Sequence, residues 1–135
     1  MIDPRQPNVL IVESDLGFLF WLGRIFTDAG SRVIPGFDCG QAISMVRDLR
    51  VRLAIVVVNP ELSGATWMIQ TLRQTQGHFK IVILVTDGLV EETPIRAQAT
   101  LVRPRPGEMA SYDDWIGRVL RMLHQLLDLD TDAVS

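Results

Sequence analysis

Cysteine is almost absent from this sequence. Cys39 is the only one in 135 residues, which excludes an internal disulfide and any cysteine-rich metal site. The two histidines, His78 and His124, are too far apart for a metal-ligand spacing. Positive charge is not in excess either: 13 lysines and arginines face 16 aspartates and glutamates, a net charge of −3. A generally basic nucleic-acid binder is thereby excluded. No apolar run reaches the roughly 18 residues of a membrane span, and the opening MIDPRQPN lacks the apolar segment of a signal peptide. Repeats, low-complexity tracts and linkers are missing too. What is present is a core-forming balance, 47% apolar against 21% charged. That balance argues against disorder and for one soluble, cytoplasmic domain.

Apolar runs alternate with helical stretches. The runs fall at residues 9–12, 32–34, Leu53–Val58, Lys80–Val85 and 100–102. LAIVVV and KIVILV are continuously apolar, as strands are when helices cover both faces. Between the runs, helix ends are marked. Ser14 or Asp15 can cap a first helix that Gly30 stops. Asp38 with Gln41 makes a capping box for Cys39–Leu49, and Ser63 can cap a helix over 64–76. A short fourth helix is expected over 91–98, with Pro94 in its first turn. A fifth begins near Ser111, with Trp115, Val119, Leu123 and Leu126 on one stripe. Five strand–helix units predict an α/β fold: a doubly wound, five-stranded parallel sheet of order 2-1-3-4-5, flavodoxin-like. Its core should span about 8–128, leaving a loose tail over 129–135 that is too short for an output domain.

In such a sheet, chemistry sits beyond the carboxyl ends of the strands. The segments there are Glu13–Asp15, Asn59–Ser63, Thr86–Gly88 and Arg103–Pro106. In their strings NVLIVESD, IVVVNPELSG, VILVT and LVRP, the chain resembles the receiver domain of two-component response regulators, over residues 8–125. Each string alone is unspecific; the four in order at successive strand ends carry the resemblance. It implies an aspartate after the third strand that accepts a phosphoryl group, acids after the first strand that hold Mg²⁺, a switch hydroxyl after the fourth, and a lysine–proline pair after the fifth.

The matching positions depart from that pattern. Glu13 keeps the first acid, but Ser14 replaces the second. Asn59 stands at the phosphoacceptor position, and an amide has no carboxylate nucleophile with which to form an acyl phosphate. Shifting the alignment to Glu61 would run the strand through Pro60, where proline is disfavoured. Thr86 matches the switch hydroxyl, either as a relic or as a group still bonding in the pocket. Asp87 puts a repelling carboxylate where the family has a small neutral residue. Arg103 keeps the cation with a larger planar head, and the aromatic switch position falls on Thr100. With two of three carboxylates lost, no cofactor is expected and Mg²⁺ binding should be weak or absent; Glu13 is the one residual metal candidate.

Plainer roles stand beside these. Asp15 reads foremost as a helix cap, and Arg103 as a tie to Glu13 or Asp87, since unpaired buried charge is costly. The resemblance also implies a cis Arg103–Pro104 bond. Cys39 reads as a small buried hydrophobe, and both histidines as surface residues. On the first helix, a wheel centred on Leu22 buries Phe18, Leu19, Ile25, Phe26 and Ala29. Phe20 then lies nearly opposite and Trp21 on a flank, with Arg24 beside them, a candidate partner surface.

The expected function is that of a non-enzymatic pseudo-receiver in phosphorelay signalling. It would dock on a histidine kinase or another signalling protein, with at most a weak homodimer and no nucleic-acid or membrane partner. One alternative is a working response regulator phosphorylated at another acid. Another is a small-ligand sensor using the strand-end crevice, against which ESDLG offers only one glycine.

Overall fold

The computed structural model describes residues 6–86, 94–104 and 112–134, with residues 128–134 as backbone only. Five strands, β1 (Asn8–Val12), β2 (Arg32–Gly36), β3 (Leu53–Val58), β4 (Lys80–Val85) and β5 (Ala99–Val102), pair in parallel in the expected order β2-β1-β3-β4-β5. Helices α1 (Leu16–Asp28), α2 (Cys39–Leu49), α3 (Ala65–Thr75) and α4 (Tyr112–Val134) cover the two faces.

Strand alternation divides the interior into two cores. Leu10, Val12, Val56, Val58, Ile81 and Ile83 pack with Ala42, Val46, Met68 and Leu72 of α2 and α3. Val9, Ile11, Ile55, Val57, Val82 and Leu84 pack with Leu22 and Phe26 of α1 and Val119 and Leu123 of α4. The central strands are therefore buried on both faces, which explains their continuous apolar runs. Each such side chain contributes about 1.5–3 kcal/mol on burial. The expected α4 stripe of Trp115, Val119, Leu123 and Leu126 is buried throughout. Pro35 lies within β2, where an edge strand tolerates it.

The caps follow the sequence at two helices and depart from it at a third. The Phe18 amide donates to Asp15 Oδ1 at 3.2 Å, so Asp15 is the cap of α1. In α2, Gln41 N donates to Asp38 Oδ1 at 2.7 Å, and Phe37 N donates back to Gln41 Oε1 at 2.8 Å. At α3 the cap is Gly64 rather than Ser63; it sits at φ 82°, a conformation that favours glycine, and makes no side-chain cap bond. On α1, Ala29 falls just past the helix and is exposed, while Gly23 joins the buried face.

The expected helix over 91–98 is not found in its described part. Residues 94–98 form bends and irregular backbone. Gln98 accounts for this: its N–H donates to Ile81 O at 2.9 Å and its Oε1 accepts from Ile81 N at 2.7 Å. The amide thereby draws the chain out along β4 and into β5 instead of into a helical turn. At the other end of the chain, α4 continues to Val134, through the residues expected to form a loose tail. No described helix is long and apolar enough to cross a membrane.

Candidate functional site

The sheet itself positions three of the candidate residues. Glu13 N donates to Gly36 O at 3.0 Å, Asn59 N to Val12 O at 3.1 Å, and Arg103 N to Val85 O at 2.8 Å. Each residue thus extends its strand's ladder by one step, and the three backbones are fixed at the carboxyl edge by the same bonds that hold the sheet together. Thr86 follows β4 at this edge and is exposed. Asp87 lies outside the described residues.

Glu13 is the buried charge of the site, 3% exposed. Its Oε1 accepts from Ser14 N at 2.9 Å and Asp15 N at 3.1 Å, two successive backbone amides that make an anion-holding turn. The Ser14 hydroxyl lies 3.5 Å away, and Asn59 Nδ2 donates from across the site at 3.4 Å. The other end of the Asn59 amide is also committed, its Oδ1 accepting from Glu61 N at 3.0 Å in a local turn. An amide suits this position because it supplies a donor to Glu13. A carboxylate there would face another carboxylate.

The second charged pair joins Asp15 to Arg103. The Asp15 carboxylate caps α1 with one oxygen and accepts from Arg103 Nη2 with the other. The guanidinium lies over the Phe18 ring, 4.4 Å from its centroid. The Arg103 hydrogen bond, with the Phe18 amide and the Arg103 charge adding to it, holds the Asp15 carboxyl below its ordinary pKa. This corrects the expected tie of Arg103 to Glu13: the described partner is Asp15, whose capping position turns its carboxylate outward over the helix start, while Glu13 is already enclosed by amides. The Arg103–Pro104 bond is trans, not cis. The guanidinium lies over Phe18 without it.

These commitments bear on whether the donor set suits a divalent cation. Mg²⁺ needs several oxygen lone pairs free to point at one centre. Here Glu13 Oε1 is turned toward N–H donors, Asn59 Oδ1 toward the Glu61 amide, and Asp15 toward Arg103. Each of these oxygens is thus engaged by a donor, and among the described residues no group of three or more acids, histidines or cysteines is placed to hold a metal ion.

Searches against proteins of known sequence and structure then distinguish sequence from fold. No protein-family model matches the sequence, and no curated protein matches it either. Solved structures do. The signal receiver domain of an HD domain-containing protein from Pseudomonas fluorescens Pf-5 superposes with a TM-score of 0.71 at 17% identity, covering 95% of this chain and 99% of that one. The chain has the receiver fold. A sensor protein from Polaromonas sp. JS666 (TM-score 0.68, 22% identity, 93% and 98% covered) and the chemotaxis response regulator CheY4 of Vibrio cholerae (0.65, 18%, 90% and 98%) share it. In this receiver fold, Glu13, Asn59 and Arg103 fall at the strand ends where the sequence motifs placed them.

The candidate partner surface divides in two. Phe20 is 61% exposed, and Leu16, one turn earlier, is 51% exposed. Trp21, expected beside Phe20 on an outer face, is half-buried instead. It stacks on Trp115 at 5.2 Å with the planes 14° apart, and it meets the Tyr112 ring edge-on at 5.5 Å. Trp115 is fixed in turn by its indole N–H, which donates to Val102 O at 2.6 Å. Trp21 therefore joins α1 to α4, and a helical wheel of α1 alone cannot show that contact. Arg24 is exposed, 4.0 Å from Asp28. Cys39 is buried, and burial raises its thiol pKa, with the Asp38 charge adding to the shift. Both histidines are exposed.

Sequence reading missed a second charged region. Arg47, Arg50 and Arg52 gather where α2 ends and β3 begins, around a cavity of about 390 Å³. The available signal was RDLRVR, a helix end with arginine where a glycine stop is common.

Proposed function

We propose that this chain is a pseudo-receiver, a non-enzymatic phosphorelay module of the cytoplasm that acts through protein contacts and is not phosphorylated at residue 59. The observation that carries this reading is the Asn59 Nδ2 bond to buried Glu13 Oε1. In a phosphoryl-accepting site, metal and lysine charges offset the acids and the incoming phosphoryl group. Here the chain supplies both offsets itself, an amide for Glu13 and Arg103 for Asp15. An acyl phosphate requires a carboxylate, and position 59 has none. Thr86 would then be a relic of the switch, with no phosphoryl group to bond.

The partner class is a histidine kinase or another signalling protein, and the contact surface is the exposed part of α1, with Leu16 and Phe20 as apolar anchors and Arg24 at the rim. Two anchors give a modest apolar area, much of whose gain association entropy offsets. Self-association is accordingly weak. Calorimetric titration with Mg²⁺ tests the site: the expected result is no sub-millimolar affinity, and a sub-millimolar constant overturns the reading.

A further inference from the structure

The amino-terminal end of the sheet carries the unexplained chemistry of this molecule. Arg47 on the last turn of α2, Arg50 just past it and Arg52 before β3 ring a cavity of about 390 Å³, within the size range of small-molecule sites. Its floor is apolar, made by Ile43, Val46 and Leu72, and Thr71 and Thr75 line its α3 wall. The three arginines are exposed, and none reaches a carboxylate among the described residues. Arg73 nearby is different: its guanidinium donates to Gly77 O and Phe79 O and lies over the Phe79 ring.

Two further features show a wall that is held in place. Gln76 bridges α3 to the approach of β3, donating to Val51 O at 3.0 Å and accepting from Leu53 N at 2.7 Å. Asn8 Nδ2 donates to Arg52 O at 2.8 Å. The segment bearing Arg50 and Arg52 is thus tied on both sides. Arg50 itself sits at φ 53°, the only non-glycine residue with positive φ among those described. Glycine or asparagine would occupy that conformation with less strain. A cation kept at a strained position, on a fixed wall, above an apolar floor, in a chain of net negative charge, matches an anion with an apolar or planar body.

We propose that this cavity binds a small organic phosphate, the guanidiniums holding the phosphate oxygens and the Ile43–Val46–Leu72 floor seating the rest of the molecule. Guanidinium forks match phosphate geometry, and three of them suit a diphosphate better than a single carboxylate. The proposal is independent of the pseudo-receiver reading, because the site lies at the opposite end of the strands.

The test is an amide-resolved NMR titration of the full chain with ADP, and separately with pyrophosphate, adenosine, hexaglutamate and a short single-stranded DNA. Saturable shifts at Arg47, Arg50, Val51 and Arg52 are expected with ADP, weaker ones at the same amides with pyrophosphate, and none with adenosine. The double variant Arg47→Ala/Arg52→Ala should weaken ADP binding about tenfold with an unchanged melting midpoint. Arg50→Gly should weaken it while raising the midpoint, since the strain is relieved as the cation is lost. The proposal is overturned by any of three results: no saturable ADP shift at millimolar concentration, ADP affinity unchanged in both variants, or shifts at these amides from hexaglutamate or DNA but not from ADP. The last result would make the patch a docking surface for an acidic macromolecule.

Discussion

The two ends of the sheet handle charge in opposite ways. At the carboxyl end, Glu13 is enclosed by two backbone amides and the Asn59 amide, and Asp15 is met by Arg103. At the amino-terminal end, Arg47, Arg50 and Arg52 surround a cavity and meet no carboxylate among the described residues. Receiver folds place their chemistry at the first of these ends. Among the described residues of this chain that end is balanced internally, and the end with charge to spare is the other one. A fold therefore positions a site without determining whether it still works. That depends on whether the charges present need something from outside.

Exchanging the balance at the carboxyl end should produce the largest effect. Asn59→Asp removes the donor to Glu13 and places a second carboxylate beside a buried one. Urea denaturation at neutral pH should show a loss of about 2–3 kcal/mol, part of it recovered on adding Mg²⁺, which the wild type should not show. Next in size is the join between α1 and α4. Trp21→Ala forfeits the stack on Trp115 and should cost about 2 kcal/mol, whereas Phe20→Ala should stay within about 0.5 kcal/mol and weaken partner capture. Equal costs would show that Phe20 is not free. At the amino-terminal end, Gln76→Ala removes the two bonds Gln76 makes to the Arg50–Arg52 wall, leaving the Asn8 bond in place, and should cost about 1–2 kcal/mol.

The smallest effect concerns pH. The folded-state pKa of Asp15 is lowered chiefly by Arg103, so its contribution is fully present above the ordinary carboxylate value and is lost as pH falls through the folded value. The stability gap between wild type and Arg103→Ala should narrow in acid below the ordinary carboxylate range. A residue of the gap should persist there, from the Arg103–Phe18 stacking that acid does not remove.

Sheet order, both cores and the strand-end positions were legible because they follow from local pattern together with the right-handed crossover, and both act on every residue of a strand. Glu13, Asn59 and Arg103 were placed correctly because each is the first residue past a strand, fixed by one ladder bond. Most of what escaped depends on contacts between distant segments. Trp21 looks outward on its own helix until Trp115 arrives from α4. Arg103 pairs with Asp15, whose capping role on α1 presents its carboxylate there, whereas the expected partner Glu13 is engaged by amides. The expected helix over 91–98 lost its end to Gln98, whose amide can pair with Ile81 only once the strands are assembled. Gly64 displaced Ser63 as a cap through backbone conformation, which capping preference alone does not reveal.

The most direct test of the central claim is incubation of the wild-type chain with a small phosphodonor and Mg²⁺, followed by intact mass measurement, with Asn59→Asp run beside it. The expected result is no phosphoryl increment on the wild type. An increment on the wild type, mapped to any residue of the strand-end site, would contradict the claim that this receiver fold signals without phosphoryl transfer.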